Sequence, residues 1–183
     1  DLGGGFGVNY EKFEIQSFNN LKKILTELFF NSDFNINVEP GRALLADSGT
    51  LITKVIRTKS ALTKQFLIVD AGMNDFIRPT LYNASHRFEP LQKEDNRELT
   101  KYDIVGPICE TGDFFGLGIN LQKMFKNEFL GIMSVGAYGS VMSSNYNARP
   151  NIAEIIIYKG KDFLLRKKQS VEKLIEKDIL PNF

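Results

Sequence analysis

The strongest constraint on this chain is a change of hydrophobic pattern near Gly49. From there on, apolar residues no longer recur at helical spacing. They gather in short runs rich in Val, Ile and Phe, separated by glycine or polar turns. Residues 50–58, 65–70, 103–109, 129–135, 152–158 and 163–166 read as strands. Tyr158-Lys159-Gly160-Lys161-Asp162 reads as a hairpin turn. Residues 49–183 therefore read as an all-β domain, an antiparallel barrel or sandwich. Residues 170–177 read as a short closing helix with Ser170 at its N-cap.

Residues 1–48 follow a different rule. Four glycines in the five positions 3–7 cannot be the interior of a strand or helix at reasonable entropic cost, so they mark a strand running into a loop. Residues 17–30 then carry Phe18, Leu21, Ile24, Leu25, Leu28 and Phe29 at helical spacing, with Ser17 as N-cap. Residues 35–39 read as a short strand stopped by Pro40-Gly41. Strand end, loop, helix and strand make α/β wiring with a parallel sheet. Ligands bind at the C-terminal ends of such strands.

Composition narrows the function. The 183 residues hold 23 Lys+Arg against 22 Asp+Glu, a net charge of +1. With no basic run, nucleic-acid binding is not the expected task. Hydrophobic content of 43% with 25% charged residues is that of a packed domain rather than a disordered chain. No apolar run reaches the ~18 residues of a membrane span. The single cysteine, Cys109, excludes an intrachain disulfide and a cysteine-based metal site, and fits a reducing, cytoplasmic setting. The opening Asp-Leu-Gly-Gly-Gly has no basic and no apolar signal region. With no initiating Met, and opening on what should be the end of a buried strand, the chain reads as a fragment.

Five stretches carry residues suited to chemistry. The backbone N–H groups of Gly3, Gly4, Gly5 and Gly7 can cradle a phosphate, or the loop is a plain turn. In Glu39-Pro40-Gly41-Arg42 the carboxylate can pair with a protonated ring nitrogen, and Arg42 with phosphate or carboxylate; otherwise this is a helix start with Arg42 in solvent. Arg78 and Tyr82 lie four apart and share a helical face, suited to clamp a carboxylate, unless Arg78 pairs with Asp75. Cys109-Glu110 at a strand end is either a reactive thiol beside an acid or an inert buried cysteine. Tyr138, among small residues, can donate to phosphate or pack in the core. The lone histidine, His86, is given no role.

Each stretch is weak alone; their order is not. Asp-Leu-Gly-Gly-Gly-Phe-Gly, Glu-Pro-Gly-Arg, Asp-Ala-Gly-Met-Asn-Asp-Phe-Ile-Arg-Pro-Thr-Leu-Tyr, Gly-Pro-Ile-Cys-Glu-Thr-Gly-Asp, Gly-Ala-Tyr-Gly and Met-Ser-Ser-Asn-Tyr-Asn-Ala-Arg-Pro succeed one another. The series resembles the C-terminal half of the diaminopimelate decarboxylases, within the fold-type III pyridoxal-phosphate decarboxylases. The resemblance implies the last units of an alanine-racemase-like (βα)8 barrel over residues 1–48, then a C-terminal β domain whose segment 136–150 returns to the active site. It implies conversion of meso-2,6-diaminopimelate to L-lysine and carbon dioxide with pyridoxal 5'-phosphate. Gly5, Gly41 and Tyr138 would hold the phosphate, and Glu39, with Pro40 beside it, would face the ring nitrogen. Arg42, Arg78, Tyr82 and Tyr138 would bind substrate carboxylates. Cys109, as proton donor, and Glu110, on the distal amino group, would enter the site of the other subunit of a homodimer. The family's cofactor-bearing lysine lies upstream of any residue here, which implies a half inactive alone. The alternatives are a non-catalytic module of the same fold, or an ornithine- or arginine-type decarboxylase.

Overall fold

The computed structural model describes residues 1–11, 18–179 and 181. Its centre is a six-stranded sheet built from β1 (Thr50–Ser60), β2 (Gln65–Val69), β3 (Phe88–Pro90), β4 (Leu99–Val105), β5 (Phe114–Gln122) and β6 (Phe129–Met133), in the order β3-β6-β1-β2-β4-β5. Alternation along β1 sends Leu51, Thr53 and Val55 inward. They meet Val69 of β2 and Ile132 of β6 in a core that also holds Leu67, Ile104 and Phe115. Burying each such side chain is worth about 1.5–3 kcal/mol. The buried Thr53 hydroxyl is satisfied on both sides: it donates to Asp70 Oδ1 (2.7 Å) and accepts from the Ala71 N–H (2.9 Å).

The sheet departs from the antiparallel expectation. β2 and β4 run parallel, so it is mixed. A parallel pair cannot be joined by a tight hairpin. Residues 70–98 therefore leave one end of β2 and return to the other end of the sheet. On the way they form α3 (Arg78–Tyr82) and β3. The outer strands β3 and β5 approach each other, and the sheet curls nearly shut. Gly116 permits this: a Cβ there would lie 2.8 Å from the Phe88 ring.

Residues 35–39 do not form the expected strand. Their ties to the opening glycine segment are two backbone bonds, Leu2 N–H to Asn37 C=O (2.9 Å) and Glu39 N–H to Gly3 C=O (2.8 Å). A parallel strand needs a continuous ladder, and two bonds do not make one. The helix is present as α1 (Asn19–Phe29), but none of its residues is buried. The proposed cap Ser17 lies outside the described residues. The stripe of α1 lines an open apolar cleft with Phe6, Val38 and Leu44. α2 (Gly41–Leu45) starts directly after Pro40, and a further tight turn (Ala46–Ser48) leads into β1.

β4 ends at Val105, four residues short of the expected Cys109, because Gly106-Pro107 turns the chain out of the ladder. β7 (Glu154–Tyr158) and β8 (Lys161–Arg166) form a separate hairpin across the expected turn. Lys159 and Gly160 take the left-handed φ of +50° and +74° that such a turn demands. Its apolar side chains Ile155, Ile157, Phe163 and Leu165 are exposed. α4 (Val171–Ile175) is capped by Ser170, whose Oγ accepts from the Lys173 N–H at 3.3 Å.

Candidate functional site

Arg78 dominates the site. Residues 70–78 leave β2 in a series of turns, and α3 opens with Arg78 followed by Pro79, a residue suited to a first helical turn. Arg78 is only 5% exposed, yet among the described residues no carboxylate pairs with its guanidinium. Asp75, the alternative partner, lies 3.7 Å from Arg149 instead. Three tyrosine rings surround Arg78: Tyr10 at 5.8 Å, and Tyr82 and Tyr138 at 5.7 Å each. Its Nη2 donates to the Tyr10 hydroxyl (3.3 Å), and its Nε is buried with no partner among the described residues. Rings facing a cation offset part of its desolvation. What is left is a charge prepared for an anion.

The expected neighbours come to the same place. Arg78 and Tyr82 share the one turn of α3, as their spacing requires. Tyr138 has φ +62° and sits in a segment docked on the turn that follows α2. There Gly136 N–H donates to Ala46 C=O (2.9 Å) and Val135 N–H to Gly49 C=O (3.0 Å). The two backbones touch: a Cβ on Gly136 would lie 2.1 Å from Leu45 O. Arg42 is half-buried rather than in solvent. Its Nη2 donates to Phe6 C=O (3.3 Å), holding the glycine loop, and its Nε is buried and unpaired among the described residues. Gly3 and Gly5 have φ of +72° and +81°, with open space where a side chain would stand. Gly4 is pressed on the Glu39 carbonyl, 2.6 Å from where its Cβ would be. The glycine loop, Glu39 to Arg42, α3 and Tyr138 thus form one neighbourhood.

Cys109 and Glu110 stand apart from it. Both are exposed, on a turn between β4 and β5. The Glu110 carboxylate meets Tyr146, whose hydroxyl donates to Oε2 (3.2 Å). That bond, then Glu110's charge, pushes the Tyr146 hydroxyl pKa up, so it stays a donor. The turn is anchored by Asp113, which is buried and accepts from the N–H groups of Ile108 (2.6 Å) and Met73 (2.7 Å). Burial raises its pKa, against the pull of those two donors. Thr80 of α3 also donates to the Gly112 carbonyl of the same turn.

The sequence reading missed the residues that brace these loops. Arg149 donates to Asn74 Oδ1 (2.9 Å) and to the Asp70 carbonyl (2.7 Å), tying 144–149 to 70–75. The Ser144 N–H returns a bond to the Asn74 carbonyl (2.9 Å). Asp113 and Arg149 both lay inside quoted motifs, but nothing in a motif distinguishes a brace from a ligand. His86, given no role, is buried between the rings of Tyr10 (4.6 Å) and Phe76 (4.7 Å). No group of acids, histidine and cysteine suited to a metal exists among the described residues. Nor is any described helix long and apolar enough to cross a membrane.

Comparison with known proteins defines the class. The family model described as pyridoxal-dependent decarboxylase, C-terminal sheet domain, matches residues 18–136. The chain belongs to the pyridoxal-dependent decarboxylases and contains their C-terminal sheet domain. Within that class, similar relatives are diaminopimelate decarboxylases. It is 41% identical over 177 residues to the diaminopimelate decarboxylase of Aquifex aeolicus, covering 96% of this chain and 42% of that protein. Identity to the diaminopimelate decarboxylase of Helicobacter pylori is 44% over 175 residues, 95% of this chain and 43% of that protein. The diaminopimelate decarboxylase of M. jannaschii, solved in complex with L-lysine, superposes with a TM-score of 0.89 at 36% identity, over 98% of this chain and 42% of that one. The chain therefore spans less than half the length of the relatives it matches. A lysine/ornithine decarboxylase from Vibrio vulnificus shares the fold alone, at TM-score 0.70 and 22% identity.

Proposed function

We propose that this chain is the C-terminal part of a diaminopimelate decarboxylase, a homodimer that converts meso-2,6-diaminopimelate to L-lysine and carbon dioxide with pyridoxal 5'-phosphate. The observation that carries the reading is Arg78: a buried residue ringed by tyrosines, lacking an acid among the described residues, and bonded through Nη2 to Tyr10, which follows the glycine loop. The residues present fit the cofactor. Gly5, Gly41 and Tyr138 would hold its phosphate, and the unpaired Arg42 Nε is an anion donor in the same neighbourhood. Glu39 would face the ring nitrogen and keep it protonated. When bound, the cofactor supplies the sink for the electron pair released as carbon dioxide departs.

The chain's own residues do the rest. Arg42, Arg78 and Tyr82 bind and orient carboxylates. Bidentate pairing with arginine sets direction as well as affinity. Cys109 delivers a proton from its thiol, and Glu110 holds the distal ammonium. Both are exposed, and Glu110 accepts from Tyr146 rather than pairing with Arg78, which supports their serving the site of a second copy. The exposed apolar cleft beside α1 supports a further part of the barrel covering it.

The test is turnover. The full-length enzyme releases carbon dioxide from meso-diaminopimelate in preference to ornithine and arginine. Cys109→Ala lowers that turnover sharply while cofactor absorbance is retained. Preference for ornithine would defeat the substrate assignment. Unchanged turnover of Cys109→Ala would defeat the proton-donor role.

A further inference from the structure

Arg78 is buried in a place that penalises charge. A buried cation without an acid is normally costly. The rings of Tyr10, Tyr82 and Tyr138 offset part of this, but rings do not fix which edge of a guanidinium points where. Among the described residues one hydrogen bond does, that from Nη2 to the Tyr10 hydroxyl at 3.3 Å. Tyr10 is in turn held from behind. Its ring leans on His86 at 4.6 Å, and His86 is pinned between that ring and Phe76. His86 Nδ1 lies 2.9 Å from the Met133 carbonyl. A carbonyl only accepts, so Nδ1 carries the proton, and the ring's place and tautomer are fixed. The result is a relay of contacts from β6 through His86 and Tyr10 to the Arg78 guanidinium.

We propose that Tyr10 is a positioning residue of this site, its hydroxyl fixing the Nη2 end of Arg78 so that the buried, unpaired Nε is aimed at an incoming carboxylate, with His86 as its backstop. The proposal rests on Arg78 being a carboxylate receptor. Preorganisation of this kind improves binding because the ordering is done before the ligand arrives. Without the hydroxyl, the guanidinium keeps its charge and its rings but loses its fixed orientation.

The test uses the full-length, cofactor-loaded enzyme and L-lysine as the probe, by calorimetric titration, beside steady-state kinetics with meso-diaminopimelate. Tyr10→Phe keeps the ring and removes the hydroxyl. It is expected to weaken lysine binding about tenfold, the usual scale for one hydrogen bond to a charged group, and to raise KM alike with kcat changed less than about twofold. The thermal midpoint and cofactor absorbance stay at their wild-type values. A general structural role would instead lower the midpoint with KM unmoved, and that outcome overturns the proposal. So does lysine affinity within about twofold of wild type while Arg78→Lys loses binding. If Arg78→Lys itself binds lysine normally, it is the carboxylate-receptor reading that falls.

Discussion

His86 couples the stability of this fold to pH in a direction that can be worked out. Its pKa is lowered from 6.5 to about 4, first by burial and also by the Arg78 charge, against the raising effect of the Met133 carbonyl. In the unfolded chain the imidazole takes a proton near 6.5; in the folded protein it does not until about 4. Between those values the unfolded state binds more protons, so stability rises with pH. The contribution of neutral His86 is fully present above 6.5 and is lost as pH falls through the window to about 4. A fall of this size, at about 1.4 kcal/mol per unit, amounts to about 3 kcal/mol over the whole window and about 2 kcal/mol by pH 5. The measurement is urea unfolding of the full-length enzyme and of His86→Phe, which cannot titrate, across the same pH range. Other acid-labile groups affect both proteins and cancel in the difference. The wild-type advantage over His86→Phe should shrink by about 2 kcal/mol between about pH 7.5 and pH 5. A difference that stays flat would show that the imidazole takes up its proton alike in the folded and unfolded chain, and the reasoning from its burial would fail.

Two more outcomes follow from the braces. Asp113→Ala leaves the Met73 and Ile108 N–H groups buried without an acceptor, at about 1–3 kcal/mol for each; urea unfolding should show a loss of about 2–5 kcal/mol, with turnover reduced because the Cys109 turn is released. Gly136→Ala sets a methyl 2.1 Å from where Leu45 O now stands, so the 135–138 segment must lift from the turn after α2. Thermal denaturation should show about 1–3 kcal/mol of lost stability, and lysine affinity should fall with it as Tyr138 moves off Arg78.

The parts of this fold written in short-range patterns were legible. The Lys159-Gly160 turn, the Ser170 cap and the Arg78–Tyr82 turn all depend on residues within five positions of one another. What depended on distant partners was not. β5 went unread because Gly116 and Gly118 interrupt its apolar run, yet Gly116 is there to admit the Phe88 ring from β3, and Gly118 takes φ +66° beside Lys101. Residues 35–39 had strand composition but lacked the neighbours that make a ladder. Tyr10 is one tyrosine among six, and only the packing of His86 and Arg78 against it distinguishes it. The motifs of the site were legible by order of appearance, whereas Asp113 and Arg149, which hold them at the right distance, act on backbone groups of distant loops that no side-chain pattern announces.

The single pair of strands running the same way has an outcome for how such a protein can diversify. Had β2 been followed by an ordinary return strand, two or three residues would have sufficed to connect them, leaving no room for the Arg78 guanidinium or for Tyr82 beside it. Orientation alone obliges the polypeptide to make a long excursion, and that excursion is hung from rigid β-structure at both ends. Selection can thus rewrite the contents of residues 70–86, ahead of β3, to change what is recognised while leaving the supporting ladder untouched.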